Sequence, residues 1–153
     1  MIEIQSLVGT LKISEDDVVT FPEGLLGFSD FKKFVFITDP QDDVFMWLQS
    51  CDQKDIAFPV IEAGFVADMS QMQLTQYECE RLNITNAQEA NFYCMVRVAS
   101  EATGMTANLK APIVINKREH MGYQFVLANQ NLQVQYPVFD LLRNKVREDA
   151  DLL

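Results

Sequence analysis

The chain has 153 residues, a length that fits one domain with a single hydrophobic core. Its 48% hydrophobic and 22% charged residues are typical of a folded protein and exclude a disordered one. A net charge of −10 opposes direct binding to nucleic-acid phosphates, and no apolar run is long enough to span a bilayer. The N-terminus lacks a basic start and an apolar signal core, so we expect a cytoplasmic protein.

The negative charge is concentrated in the first half of the chain. Residues 1–76 carry a net charge of −9, and residues 77–153 carry −1. Such acidic clusters can be solvated turns that keep a protein soluble, or they can attract a basic partner. We take six of these carboxylates as candidate partner-contact residues: Glu15, Asp16, Asp17, Asp39, Asp42 and Asp43.

The N-terminal segment predicts a hairpin and an ordered loop. Ile2 and Ile4 alternate with polar residues before Gly9, and the segment 18–21 reads as the next strand. The following loop, PEGLLGF (22–28), has three apolar side chains to bury: Leu25, Leu26 and Phe28. One short helical turn through Phe34 is expected after it.

Three strands rich in aromatic and β-branched residues predict a meander over 34–38, 44–50 and 56–62. Asp-rich turns separate them, so the acidic residues of 39–43 should project from one end of a hairpin. Pro59 cannot donate to a ladder and should therefore lie at a sheet edge or a bulge.

The central segment predicts a helical crossover. A polar strand is expected over 69–74, and Thr75 with Glu78 matches a capping box for a short helix through Leu82. The run Thr85-Asn86-Ala87-Gln88 repeats that pattern before a second helical turn. A strand is expected over 92–99.

The last segments predict another hairpin and a helix. Strands over 111–116 and 123–129 flank a turn that contains His120, the only histidine. The tail 139–153 places one apolar stripe on a helical face: Phe139, Leu142, Val146, Ala150 and Leu153. The fold class that follows is mainly β, a compact antiparallel β-barrel-like single domain over 1–138, with one or two short helices and a C-terminal amphipathic tail.

The residues offer little for catalysis or for a bound cofactor. There is no phosphate-binding glycine loop, no nucleophile elbow and no histidine pair at metal-ligand spacing. Cys51, Cys79 and Cys94 are widely spaced and are expected to be reduced thiols, and His120 is expected to be exposed. We expect no enzymatic activity, no cofactor and no metal.

Four segments carry a resemblance to a known family. EDDVVTFPEGLLGFSDFKKFVFI (15–37), FMWLQS (45–50), MTANLKAPIVIN (105–116) and YPV (136–138) resemble the flagellar assembly factor FliW, in the same order along the chain. The Phe-Pro-Glu-Gly loop and the Thr-Ala-Asn-Leu-Lys-Ala-Pro-Ile segment are the most specific parts. The resemblance covers most of residues 1–138.

This resemblance implies a regulator without enzymatic activity and with a β-barrel-like fold. Members of the family bind CsrA, an RNA-binding dimer that represses translation of flagellin mRNA, and they also bind flagellin. Free flagellin holds the family member, and export of flagellin releases it to sequester CsrA. The implied partners are therefore CsrA and flagellin, and we expect a monomer when neither is bound.

Two questions stay open on the sequence alone. Segment 105–116 is either a structural loop held by Thr106 and Asn108 or a partner platform in which Asn108 faces the partner; we favour the structural role. The alternative to a protein-binding regulator is a small-ligand-binding β-barrel or an unrecognised hydrolase, which requires a sizeable internal pocket.

Overall fold

The structure, a computed structural model, describes residues 1–143, apart from the side chain of Ala102. It has one α-helix with assigned bounds, α1 (Gln76–Arg81), and a helix that begins at Phe139 and is described through 143. The strands are β1 (Ile2–Ser6), β2 (Gly9–Ile13), β3 (Val19–Thr20), β4 (Lys33–Asp39), β5 (Asp42–Ser50), β6 (Ala57–Glu62), β7 (Asn91–Arg97), β8 (Thr106–Ala107), β9 (Ile113–Asn116), β10 (Met121–Gln124) and β11 (Tyr136–Pro137).

Seven strands form a closed barrel in the order β7-β6-β5-β4-β3-β10-β9, with β9 pairing back onto β7. All of these pairs are antiparallel except β3 with β10, which meet at the single pair Thr20 and Met121. The Thr20 amide also donates to the carbonyl of His120 at 2.9 Å. The predicted antiparallel barrel-like fold is confirmed, and it closes through one short parallel contact, which we call the seam.

The barrel interior is packed with side chains. Alternate residues of the strands point inward, as the period of two requires, and the inward residues form one buried cluster that includes Phe21, Phe34, Leu48 and Val60. The rings of Phe21 and Phe34 meet edge to face, with centroids 5.4 Å apart. On β10 the inward position is Gly122, where an added Cβ would lie 2.7 Å from the ring of Phe21.

Two layers cover the outside of the barrel. The crossover between β6 and β7, which contains α1, and the chain after β10 bury the larger cluster, including Leu82, Cys94, Val114 and Leu127. The hairpin β1–β2 forms its own two-stranded sheet and packs Ile4 and Ile13 on Val35 of β4. None of the helices in the described residues has the length and apolar character needed to cross a bilayer.

Several local predictions are confirmed. The N-terminal hairpin, the β4–β5–β6 meander and the β9–β10 hairpin around an exposed His120 all form. The prediction of a sheet edge or bulge at Pro59 is wrong for the strand, since β6 lies between β5 and β7, but at Pro59 itself only β5 pairs, through Trp47, because pairing with β7 begins at Val60. The Thr75–Glu78 capping box is present in both directions and begins α1.

Other local predictions are wrong. Residues 69–74 are not a strand, because the Asp68 carboxylate accepts the Ser70 amide and starts a 3-10 turn at Met69. No helical turn runs through Phe34, since Lys33 already pairs with Thr20 in the sheet. The loop 22–28 buries Leu25 but leaves Leu26 54% exposed.

The remaining differences concern element boundaries. The second capping box starts one residue later than predicted, with Asn86 and Glu89 as its members in place of Thr85 and Gln88. Strand β10 ends at Gln124, so 125–129 is not a strand. In the tail, Leu142 is buried as the stripe predicts, whereas Val146, Ala150 and Leu153 lie outside the described residues. The division of the chain at residue 138 stays a prediction.

Gly24 explains why the Phe-Pro-Glu-Gly loop needs glycine. Its φ is +67°, and an added Cβ would lie 2.6 Å from the Cα of Ser29. Gly27, in the same loop, also has a positive φ, +81°, but nothing lies within 4 Å of the place its Cβ would occupy. The two glycines therefore share one backbone constraint and differ in the space around them.

Replacing Gly24 by alanine should lower the free energy of unfolding by about 3 kcal/mol or more, because left-handed backbone strain adds to a backbone clash. Gly27→Ala, the matched control, should cost only about 1 kcal/mol. Denaturant unfolding of the two variants measures both values. Equal losses would contradict the role of the close contact with Ser29.

Candidate functional site

A groove of about 680 Å³ lies between the N-terminal hairpin and the barrel. Its lining comes from β1, β2, the 3-10 turn Glu15–Asp17, β3, the start of β4, the turn after β5 and the β9–β10 turn. We call it the hairpin groove. Its floor lies over the seam, because Thr20 and Met121 both line it.

The hairpin is held in place by buried contacts. Ile4 and Ile13 are at most 8% exposed and pack on Val35. Gln49, which is fully buried, accepts the Leu7 amide through Oε1 at 3.1 Å and donates from Nε2 to the carbonyl of Lys54 at 3.0 Å. One side chain therefore joins the hairpin to the turn after β5, which also lines the groove.

The rim of the hairpin groove is acidic. Five carboxylates line it against one lysine, Lys33: Glu3, Glu15, Asp16, Asp52 and Glu119. Within residues 1–143, the first four of these form no salt bridge. Glu119 lies 4.0 Å from Arg118 and also accepts a hydrogen bond from Asn83. The groove therefore has an excess of uncompensated negative charge.

The first predicted acidic cluster divides between structure and groove. Asp17 accepts the Ser14 amide at 3.0 Å and completes a capping box, so it fixes the 3-10 turn. Glu15 and Asp16 are exposed and line the groove. The turn thus directs two free carboxylates to the rim while a third holds the backbone.

The second predicted cluster lies at the other end of β4. Asp39 accepts the Gln41 amide, and Asp42 accepts the amides of Val44 and Phe45, each bond being 2.9 or 3.0 Å long. Asp43 is exposed, and its carboxylate has no hydrogen bond to any described residue. Six residue steps along β4, or about 20 Å, separate Lys33, which lines the groove, from Asp39, so the two acidic clusters do not form one surface.

Asn108 has a structural contact. Its side-chain Oδ1 accepts a hydrogen bond from the Ala111 backbone N–H at 3.0 Å, and its backbone N–H donates to the carbonyl of Met95 at 2.9 Å. It also lines a second groove, of about 350 Å³, beside Phe58 and Val134. A role for Asn108 in partner contact stays a prediction.

The three cysteines have free thiols. Burial raises the pKa of Cys94 to about 12, and burial together with the neighbouring Asp52 carboxylate raises the pKa of Cys51 to about 11. Since the thiolate is the nucleophilic form, Cys51 is almost entirely protonated near neutral pH. Within residues 1–143, no three potential metal-ligand side chains come together.

Sequence reasoning missed three acidic residues of the hairpin groove: Glu3, Asp52 and Glu119. They lie on elements far apart along the chain, and they come together only when the barrel closes and the N-terminal hairpin packs on β4. The one local signal was their position in a hairpin strand and two polar turns, which marks exposure but not proximity.

The Glu23 side chain of the Phe-Pro-Glu-Gly loop also has a structural partner. Glu23 forms a salt bridge with Arg81 at the end of α1. The Arg81 guanidinium also lies 5.0 Å from the centre of the Tyr123 ring and donates to the Tyr77 hydroxyl at 2.7 Å. The loop is thereby fixed to the crossover. The glutamate of this motif therefore has a structural role that does not require a bound partner protein.

Comparison with known proteins identifies the family. The family model described as FliW protein matches residues 3–138. The chain belongs to the FliW family. The flagellar assembly factor FliW of Bdellovibrio bacteriovorus is 42% identical over 146 residues, which are 95% of this chain and 83% of that protein. The FliW of Thermoanaerobacter pseudethanolicus is 36% identical, with 89% of this chain and 91% of that protein covered.

A solved structure agrees with this assignment. The crystal structure of a flagellar assembly factor FliW superposes with a TM-score of 0.77 at 32% sequence identity. The match covers 90% of this chain and 96% of that one. The recognition of FliW from the four sequence segments is therefore confirmed.

Replacing Gln49 by leucine should lower the free energy of unfolding by about 2 kcal/mol or more, because the Leu7 amide and the Lys54 carbonyl lose a buried partner. Amide exchange at Leu7 should become faster. Unfolding and hydrogen exchange measure the two effects. Gln41→Leu, in an exposed turn, is the control and should be close to neutral, and unchanged exchange at Leu7 in Gln49→Leu would refute the link.

Alkylation of Cys51 by iodoacetamide should speed up about tenfold for each pH unit between about pH 8 and about pH 10, because its pKa of about 11 keeps the thiolate fraction rising throughout that range. Mass spectrometry of the proteolytic peptide that contains Cys51 gives the alkylation rate. In urea-unfolded protein the rate should level off above the ordinary thiol pKa. A plateau near pH 9 in the folded protein would contradict the shift.

Proposed function

We propose that this protein is a flagellar assembly factor that acts by binding proteins in the cytoplasm and has no catalytic role. It sequesters the translational repressor CsrA and binds flagellin, and so couples flagellin synthesis to export. Membership of the FliW family supports the first statement, since the relatives are named flagellar assembly factors. The partners follow from the resemblance on which the family was recognised.

The observation that carries this proposal is the uncompensated acidic rim of the hairpin groove. An RNA-binding protein must present lysines and arginines to neutralise phosphates, and such a surface is complementary to carboxylates. The same rim repels nucleic acid, so this protein is expected to bind the repressor itself and not the mRNA to which the repressor binds. Complementary charge raises the association rate, and apolar contacts beside it supply affinity.

The packed barrel interior weighs against the alternative of a small-ligand barrel. Phe21, Phe34, Leu48 and Val60 are all fully buried inside the ring. A ligand-binding barrel needs a sizeable internal pocket with convergent polar groups, and these residues occupy that space. The raised pKa of Cys51 likewise removes the most accessible thiol as a nucleophile at neutral pH.

Titration of the purified protein with CsrA and with flagellin, each alone and then in competition, tests the proposal. Calorimetry at low salt should show saturable binding of both. Added flagellin should reduce the binding of CsrA, because a molecule that holds flagellin should not bind CsrA at the same time. Failure to bind either protein would refute the proposal, and turnover of a small substrate would refute the absence of catalysis.

The exposed carboxylate of Asp43 should contribute to electrostatic steering. Asp42→Asn with Asp43→Lys keeps the side-chain oxygen that holds the turn and adds positive charge, so association with CsrA should slow by roughly two- to fivefold at low salt. Stopped-flow fluorescence measures the rate. Asp42→Asn alone is the control, and a double variant with the control's rate would remove Asp43 from the steering surface.

A further inference from the structure

We propose that the hairpin groove is the docking site for a segment of a protein partner that carries both basic and apolar side chains. The inference rests on the proposed function, in which the chain acts by binding a basic RNA-binding protein. It adds the surface and the chemistry of the segment that the surface accepts. The occupant is a stretch of polypeptide, and its cations lie against the rim while its apolar groups lie on the floor.

The floor of the groove and the adjoining hairpin strand β1 supply apolar contact. Ile2 is 36% exposed, and Val18 and Met121 are half-buried, so all three leave apolar surface facing the groove. Burial of such surface stabilises a complex without regard to direction. A purely hydrophilic segment would not bury this apolar surface, so the segment must carry apolar side chains as well as positive charge.

The rim determines the sign of the partner's charge. Glu15 and Asp16 come from one 3-10 turn, Asp52 and Glu119 come from two other turns, and Lys33 is the one lysine among the lining residues. An acidic or phosphorylated segment would meet repulsion from several carboxylates, whereas lysines or arginines would meet complementary charge. This selection also excludes a nucleic acid as the occupant.

The groove is formed before any partner arrives. Gln49 fixes the hairpin to the turn after β5, and the Ser6 hydroxyl closes the hairpin turn by donating to the Gly9 carbonyl at 2.7 Å. Walls that are already ordered lose little conformational entropy on binding, so more of the contact energy appears as affinity. The hairpin therefore acts as a fixed wall of the groove.

Reversal of charge at the rim tests the electrostatic part. Glu15→Lys with Asp16→Lys should weaken the binding of purified CsrA by about tenfold or more. Glu62→Lys with Glu101→Lys makes the same change of net charge at exposed positions that do not line the groove, and should change Kd by less than about twofold. Equal effects from the two pairs would overturn the proposal, since net charge would then suffice.

Filling the groove tests the contact itself without altering charge. Thr20 is exposed and lines the floor, so Thr20→Trp should block the segment and weaken CsrA binding by about tenfold or more. Thr103→Trp, at an exposed position outside the groove, is the control. Thermal unfolding of each variant checks that the barrel is intact. Unchanged affinity in a folded Thr20→Trp variant would overturn the proposal.

The outcomes separate this inference from the proposed function. Binding of CsrA by the unaltered protein, together with unchanged binding by both groove variants, refutes the groove and leaves the function standing. Loss of flagellin binding alone in those variants would also overturn the inference, because the groove would then serve the other partner. If the unaltered protein binds neither partner, the proposed function is refuted, and the inference that rests on it is refuted as well.

Discussion

Closure of the sheet is the constraint on which this structure depends. Each strand of the ring then has a neighbour on both sides, so the barrel presents no long open edge to another chain. The seam that completes it is short, consisting of the pair Thr20 and Met121 and one bond from the Thr20 amide to His120. The floor of the hairpin groove lies on this seam, so closure of the barrel forms the floor and packing of the N-terminal hairpin completes the groove. The packed interior leaves the outer surface as the place where partners can bind.

The acidic residues divide into two groups with different physical roles. Asp17, Asp39 and Asp42 accept backbone amides, and each satisfies donors that a turn would otherwise leave without a partner. Glu15, Asp16 and Asp43 are exposed, and their carboxylates accept no hydrogen bond from a described residue. A count of charges in the sequence cannot separate the groups, because the difference depends on where the backbone turns. The second group has no structural contact that would compete with a partner, and partner contact by any of the six carboxylates stays a prediction.

What could be predicted from the sequence was local or carried by a motif. The Thr75–Glu78 capping box involves four adjacent residues, and the meander follows from alternation and Asp-rich turns. The strand predicted over 69–74 failed because the Asp68 side chain captured the Ser70 amide, a competition that hydrophobic pattern does not reveal. The groove was out of reach for a different reason. Its rim includes Glu3, Asp52 and Glu119, which come to one groove only when the ring closes and the N-terminal hairpin packs on it.

The position of the seam beneath the groove links binding to the lifetime of the protein. A segment that rests on both Thr20 and Met121 contacts two strands that separate when the barrel opens, so it binds only the closed form. By mass action, such a ligand stabilises the closed form by a free energy that grows with the logarithm of the ratio of free ligand concentration to Kd. Proteases in the cell act on the open form. The abundance of the partner would then influence how long each copy of this protein survives.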